Sequence, residues 1–140
     1  MTTNERGMTL VEVLVAVAII TIGLTAIATG MVLGTSGINQ GQQETTASFL
    51  GEQKIEDIKA YALSTAVAQG FANVTAANFP VEDYGTIAGG YNGYRRTTTI
   101  TSPSATMKVV IVNVFYKSVA VSSTANAERQ VALTTVLRQR

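Results

Sequence analysis

Between Arg6 and Glu44 the chain carries one ionisable side chain, Glu12, and from Val13 to Gln43 nothing is charged. At 1.5 Å of rise per residue, a helix of that extent outreaches the roughly 30 Å hydrocarbon core of a bilayer. One membrane span is therefore available, and the rest of the chain must form a separate globular part. Leucine, isoleucine and valine recur from Leu10 to Leu33; at roughly 0.3 to 0.6 kcal/mol each they contribute about 4 to 8 kcal/mol toward insertion. A carboxylate near the bilayer centre costs about 2.5 to 3.5 kcal/mol, so the segment stays in the membrane with Glu12 present. Two readings of Glu12 stand side by side: it meets a cationic partner, or it rides at the headgroup boundary, where the helix dipole favours negative charge.

The stretch Gly7-Met8-Thr9-Leu10-Val11-Glu12-Val13-Leu14-Val15-Ala16 resembles the processing signal of type IV prepilins and of the related secretion pseudopilins. That resemblance implies a leader of residues 1–7, cut after Gly7 by the prepilin peptidase, with Met8 as the new N-methylated terminus. It also implies that Glu12 pairs with the terminal amine of a neighbouring subunit during assembly. Met8 departs from the commoner phenylalanine, and the proline often found in mid-segment is missing around Thr29. An ordinary secretory signal is the competing expectation, because Ala26-Ile27-Ala28 offers an A-x-A site. Cleavage there would release a soluble binding protein beginning at Thr29. The apolar run continues through Met31, Val32 and Leu33, which argues against it.

Glycines punctuate the apolar segment, and Gly30 with Gly34 forms a G-x-x-x-G pair that can let helices approach closely. Plain tolerance, or a place where the helix bends, is the alternative. Beyond Gly41 the pattern turns amphipathic: Phe49, Ile55, Ile58 and Ala62 fall at near-helical spacing, while Glu52, Lys54, Glu56, Asp57 and Lys59 are charged. The spacing predicts that this half of one long helix packs on the head through Phe49 and its mates, with the charges solvated. From Ser64 to Gly93 periodicity is lost, and Phe71, Phe79, Tyr84 and Tyr91 are expected to pin this connection to a sheet. Strands are predicted over Tyr94–Thr101, ended by a Ser102-Pro103-Ser104 turn, over Met107–Tyr116, and over Gln130–Leu137. The polar stretch from Ser118 to Glu128 reads as a hairpin loop or surface excursion.

The expected fold class is α+β: a long N-terminal helix, half membrane-spanning and half amphipathic, on a small antiparallel sheet of three or four strands, the pilin fold. The organisation expected is a leader at 1–7, a transmembrane or filament-core helix at 8–38, and a periplasmic or extracellular head at 39–140. The weak positive bias before the apolar run, Arg6 against Glu5, favours a cytoplasmic N-terminus in the inner membrane.

Histidine and cysteine are absent, which removes the usual general base, the thiol nucleophile and the common zinc ligands. No enzyme activity, metal or cofactor is expected. Without cysteine the head must also hold by packing or by neighbours. Ten basic against nine acidic residues leave no field to draw nucleic acid. Weaker readings are calcium at Glu82-Asp83, DNA contact at Arg95-Arg96, for which solvated strand edges are the preferred use, and glycosylation at Asn73-Val74-Thr75. The run Phe49-Leu50-Gly51-Glu52-Gln53-Lys54-Ile55-Glu56-Asp57-Ile58-Lys59 with the later Tyr-Arg-Arg strand looks like PilV-type minor pilins or the pseudopilin I component of type II secretion. A minor pilin that primes or joins assembly of a type IV pilus is thus the leading expectation, with pseudopilin and major pilin as alternatives. The partners implied are the peptidase, other pilin subunits through the N-terminal helix, and membrane lipid.

Overall fold

The computed structural model describes residues 8–117 and 128–139. Gly7, with the rest of the expected leader, and residues 118–127 of the expected loop lie outside the described residues. Helix α1 spans Leu10–Leu63, and two single-turn 3-10 helices follow at Phe71–Asn73 and Ala76–Asn78. Strands β1 (Tyr94–Ser104), β2 (Met107–Lys117) and β3 (Glu128–Arg138) then form an antiparallel sheet in the order β1-β2-β3. The chain divides into compact units between Ile38 and Asn39.

From Leu10 to Ile38 the first unit is helix. Its leucines, isoleucines and valines from Leu10 to Leu33 are exposed, and the helix is long and apolar enough to cross a membrane. Hydroxyls that would be unsatisfied in lipid turn back onto the helix. Thr21, Thr25 and Thr29 donate to the carbonyls of Val17, Thr21 and Thr25 at 2.7, 3.0 and 2.9 Å, and Ser36 donates to Leu33 at 2.9 Å. Each bond hides a polar group that water could not reach in a bilayer.

In the second unit α1 buries Ala47, Leu50, Gly51, Ile55 and Ile58, a stripe at helical spacing. It packs on β2, which alternates strictly: Lys108, Val110, Val112, Val114 and Tyr116 are buried, while the residues between them are half-buried on the opposite face. Val74, Phe79 and Ile87 from the connection and Leu137 from β3 complete the core. Glycine at position 51 gives the helix its closest approach to the sheet, and a larger residue there needs the end of the Leu133 side chain to move. A Cβ at Gly51 would overlap Leu133 Cδ1 and meet Val114 Cγ2 at 3.5 Å, so the helix lies directly against β2 and β3.

Three expectations need correction. Phe49 belongs to the solvent face, not the packing face, and is 53% exposed. It sits between the buried Ala47 and Leu50, and at about 100° per residue those two and Ile58 define a stripe from which Phe49 points away. Strand β1 runs on through Pro103 to Ser104, with a register shift between Thr101 and Ser104. Proline lacks an N–H to donate, and it is tolerated on this edge strand at an irregular position. The turn is consequently the two residues Ala105-Thr106. The third correction concerns Arg96, described with the site below.

Candidate functional site

The start of α1 is built by a reciprocal pair. Thr9 is the residue before the helix and Glu12 its third helical residue, the T-x-x-E spacing of a capping box. The Thr9 backbone N–H and hydroxyl donate to Glu12 Oε2 at 2.9 and 3.1 Å, and the Glu12 backbone N–H donates to Thr9 Oγ1 at 3.3 Å. Free N–H groups at a helix start are partly satisfied this way, and the dipole adds to the attraction for the carboxylate. Both bonds to the carboxylate fall on Oε2, and among the described residues no cation pairs with Glu12. Oε1 is open to a further donor. Met8, immediately outside, is 71% exposed. Thr9 was readable as a cap from Ser/Thr-x-x-Glu spacing, but the apolar flank draws attention to Glu12 alone.

Gly30 and Gly34 stand on the same apolar helix, and at both a Cβ would find nothing within 4 Å. The same is true of Gly23, Gly37 and Gly41. Among the described residues no contact within the chain requires glycine at any of them.

In the second unit the connection is tied down by charge. Arg96 is 5% exposed; its Nε and Nη2 donate to Glu82 Oε2 and Oε1 at 2.6 and 2.9 Å, and its Nη1 donates to the Leu50 carbonyl at 2.6 Å. Lys54 Nζ reaches Glu82 Oε2 at 3.1 Å from the helix. The same two residues bond through their backbones, Glu82 N to Arg96 O at 2.9 Å and Arg96 N to Glu82 O at 2.8 Å. One glutamate thus fastens strand β1, helix α1 and the connection together. Burial, the largest effect on Glu82, raises its pKa, but hydrogen bonds and charge from Arg96 and Lys54 outweigh it and hold the carboxyl below its ordinary value.

The two arginines do leave the strand on opposite faces, as alternation requires, but neither is a solvated edge. Arg95 stacks over Phe115 at 4.3 Å and pairs with Glu128 at 3.2 Å. Tyr84 donates to that Glu128 at 2.6 Å. Burial and then Glu128 push the Tyr84 hydroxyl up; at Glu128 the Tyr84 bond is the largest effect and, with Arg95 and Lys117, outweighs burial and holds the carboxyl down. Lys108, 8% exposed, donates to the Ala72 and Val74 carbonyls at 3.0 and 2.7 Å and lies 5.1 Å from the Phe71 ring centre. Sequence reasoning missed this lysine, which reads as an ordinary strand charge.

The aromatics divide between two surfaces. Tyr84 and Tyr91 attach the connection to the sheet, Tyr91 edge-on to Tyr94 at 6.3 Å. Phe79 instead meets the helix, edge-on to Tyr61 at 5.2 Å with Lys54 at 5.7 Å.

The calcium reading fails on these bonds. Glu82 is fully engaged by cations, and Asp83 Oδ1 accepts the Tyr84 N–H at 2.9 Å. Among the described residues no three His, Cys, Asp or Glu side chains gather to hold a metal. Asn73 of the possible glycosylation site donates its side-chain amide to Gln69 at 2.9 Å.

The family model of the prokaryotic N-terminal methylation motif matches residues 2–28. No curated protein and no solved structure matches the chain. The motif is typical of type IV pilin-like prepilins, a structural class, and it implies a prepilin peptidase cleavage site and assembly with other pilins. With the apolar helix it indicates membrane anchoring.

Proposed function

We propose that this chain, type IV pilin-like by its N-terminal motif, is a structural subunit, cut between Gly7 and Met8, methylated at Met8, and built into a filament through residues 8–38. Within that class we assign it to the minor pilins that prime or join assembly at a pilus. Hydrolysis of the Gly7–Met8 bond would leave a carboxylate on the leader and a free amine on Met8. In a neighbouring copy or relative, the open Glu12 Oε1 would receive that amine. At about 4 Å such a pair is worth roughly 4 kcal/mol at an effective dielectric of 20, against about 1 kcal/mol in water. The apolar medium selects the pairing.

One coincidence supports this reading: the matched motif at residues 2–28 ends inside an apolar helical stretch whose large side chains are exposed in the single chain and whose one acid before Glu44, Glu12, retains an unoccupied oxygen. Gly30 and Gly34, with open space around them, are proposed as close-packing points in that bundle. Orientation follows, with the N-terminus cytoplasmic, a single pass through the inner membrane, and the head outside.

Mass spectrometry of the protein isolated from membranes tests the assignment, the expected N-terminus being methylated Met8. Gly7→Leu should leave only the longer form on an immunoblot. Equal processing of that variant, or a mature chain beginning at Thr29, would overturn the proposal. Quantity in sheared filaments tests the minor role, and an amount equal to the shaft subunit would make it a major pilin.

A further inference from the structure

We propose that Asn92-Gly93 is a site of spontaneous covalent modification, where the Asn92 amide is lost and an aspartyl or isoaspartyl residue takes its place at the entrance to β1. Tyr91 to Tyr94 form a tight turn, closed by the Tyr94 N–H donating to the Tyr91 carbonyl at 3.1 Å. An Asn-Gly pair in a turn usually serves a left-handed backbone, with positive φ at both residues. Neither residue has a positive φ here. The shape of the turn therefore does not call for this pair, and what sets the pair apart is its reactivity.

Asparagine is one of the chemically labile side chains of proteins. Ring closure onto it needs a free side chain, an uncrowded backbone nitrogen behind it, and water. Asn92 and Gly93 are both exposed. Among the described residues the Asn92 side chain makes no hydrogen bond and the Gly93 N–H donates none. No atom stands within 4 Å of where a side chain on Gly93 would begin, so that flank of its nitrogen is open. The turn is held at its ends by Tyr91 and Tyr94, while the peptide unit between Asn92 and Gly93 is left unengaged.

The Gly93 nitrogen, giving its proton to hydroxide, attacks Cγ of Asn92. A C–N bond forms, the Cγ–Nδ2 bond breaks, and Nδ2 takes a proton from water and leaves as ammonia, which closes a five-membered succinimide ring. Water then adds to one ring carbonyl. Opening at Cγ restores the ordinary backbone as aspartate; opening at the main-chain carbonyl leaves Gly93 joined through Cγ, an isoaspartyl link. Nothing is oxidised or reduced. Either product places a negative charge three residues before Arg95. The isoaspartyl link also inserts a methylene into the main chain within the turn, which spoils the spacing of the Tyr94–Tyr91 hydrogen bond and of their edge-on ring contact at 6.3 Å. The attachment of the connection to the sheet at Tyr91 thus loosens as the molecule ages.

The other asparagines lack this combination, for none precedes a glycine. Asn73 and Asn78 stand before Val74 and Phe79, and their side-chain amides donate to the Gln69 and Asn73 carbonyls at 2.9 and 2.7 Å. Asn113 is held in the central strand before the β-branched Val114.

Mass spectrometry of the full chain, aged folded in detergent, tests the site. Trypsin releases residues 60–95 as one peptide, so Asn73 and Asn78 are internal controls for Asn92. After ageing in heavy-oxygen water and digestion in ordinary water, Asn92 is expected to have lost its amide and gained one labelled oxygen, with Asn73 and Asn78 unchanged. The conversion should be faster at mildly alkaline than at mildly acidic pH, because the Gly93 nitrogen must lose its proton. Gly93→Val should stop it over the interval in which the parent chain converts, with the urea midpoint unchanged as evidence that the head is still folded. An Asn92 that stays intact in the folded chain overturns the proposal, including the case where it converts only in urea, which would mean that the turn protects it. Conversion of Gly93→Val at the parent rate, or of Asn73 and Asn78 at the pace of Asn92, overturns it as well.

Discussion

Replacing Glu82 by glutamine removes one charge and strands two. Arg96, almost wholly buried, loses the ion pair and one of its two carboxylate bonds, at 2.6 and 2.9 Å, and keeps the Leu50 carbonyl and one neutral acceptor. A glutamine oxygen accepts from one donor group, while its amide would face the guanidinium donor to donor. Breaking a buried ion pair by removing one partner costs about 3 to 5 kcal/mol, because an uncompensated charge stays in a poor solvent. The Glu82 side chain keeps 26% of its exposure, so water partly repairs the loss and the low end, about 3 kcal/mol, applies. Against a total stability of about 5 to 15 kcal/mol this is a large fraction. In urea unfolding of the full chain in detergent, followed by tyrosine fluorescence, the midpoint should fall by about 1 to 3 M. Adding Arg96→Met to Glu82→Gln removes the stranded guanidinium and should recover most of the loss. A midpoint shift below about 0.3 M, or a double variant no more stable than Glu82→Gln, would refute the idea that this ion pair fastens the connection.

Acid should loosen the same head. Glu82 and Glu128 both have folded pKa values below the unfolded value of 4.5, so the stability they supply is present above that value and is lost as pH falls through their folded values; a urea midpoint unchanged between pH 7 and pH 3 would contradict this. Gly51→Val should destabilise by about 1 to 3 kcal/mol in the same assay despite valine's better helix propensity, because its Cβ overlaps Leu133 Cδ1 and must displace that side chain within the packed face. A neutral result would mean Leu133 gives way freely. Glu12→Val should leave cleavage at Met8 and membrane retention intact while sheared filaments lack the protein, and incorporation at the normal level would show that the carboxylate is dispensable.

Periodicity made much of this architecture readable in advance. A charge-free run of membrane length can only be a helix among apolar neighbours, and the strict alternation of Val110, Val112 and Val114 can only be a strand with one face covered. The N-terminal motif is likewise local: Gly7, Met8 and Glu12 stand within a few residues, so their relationship needs no fold to display it. Helix phase was harder. Phe49 and Leu50 are adjacent and both apolar, and which of them faces the core depends on where the sheet lies.

Sequence by itself therefore determined the membrane-length helix, the α+β class and the candidate processing site, since each depends on residues near one another along the chain. The tertiary structure alone decided that Arg96 leaves the surface to meet Glu82 and Leu50, that Lys108 caps two carbonyls of the connection, and that Gly51 is a point of contact. Charged side chains read as solvated in a linear pattern because burial without a partner is prohibitive, and the partners here lie 14 to 46 residues away, supplied only once the chain has folded back.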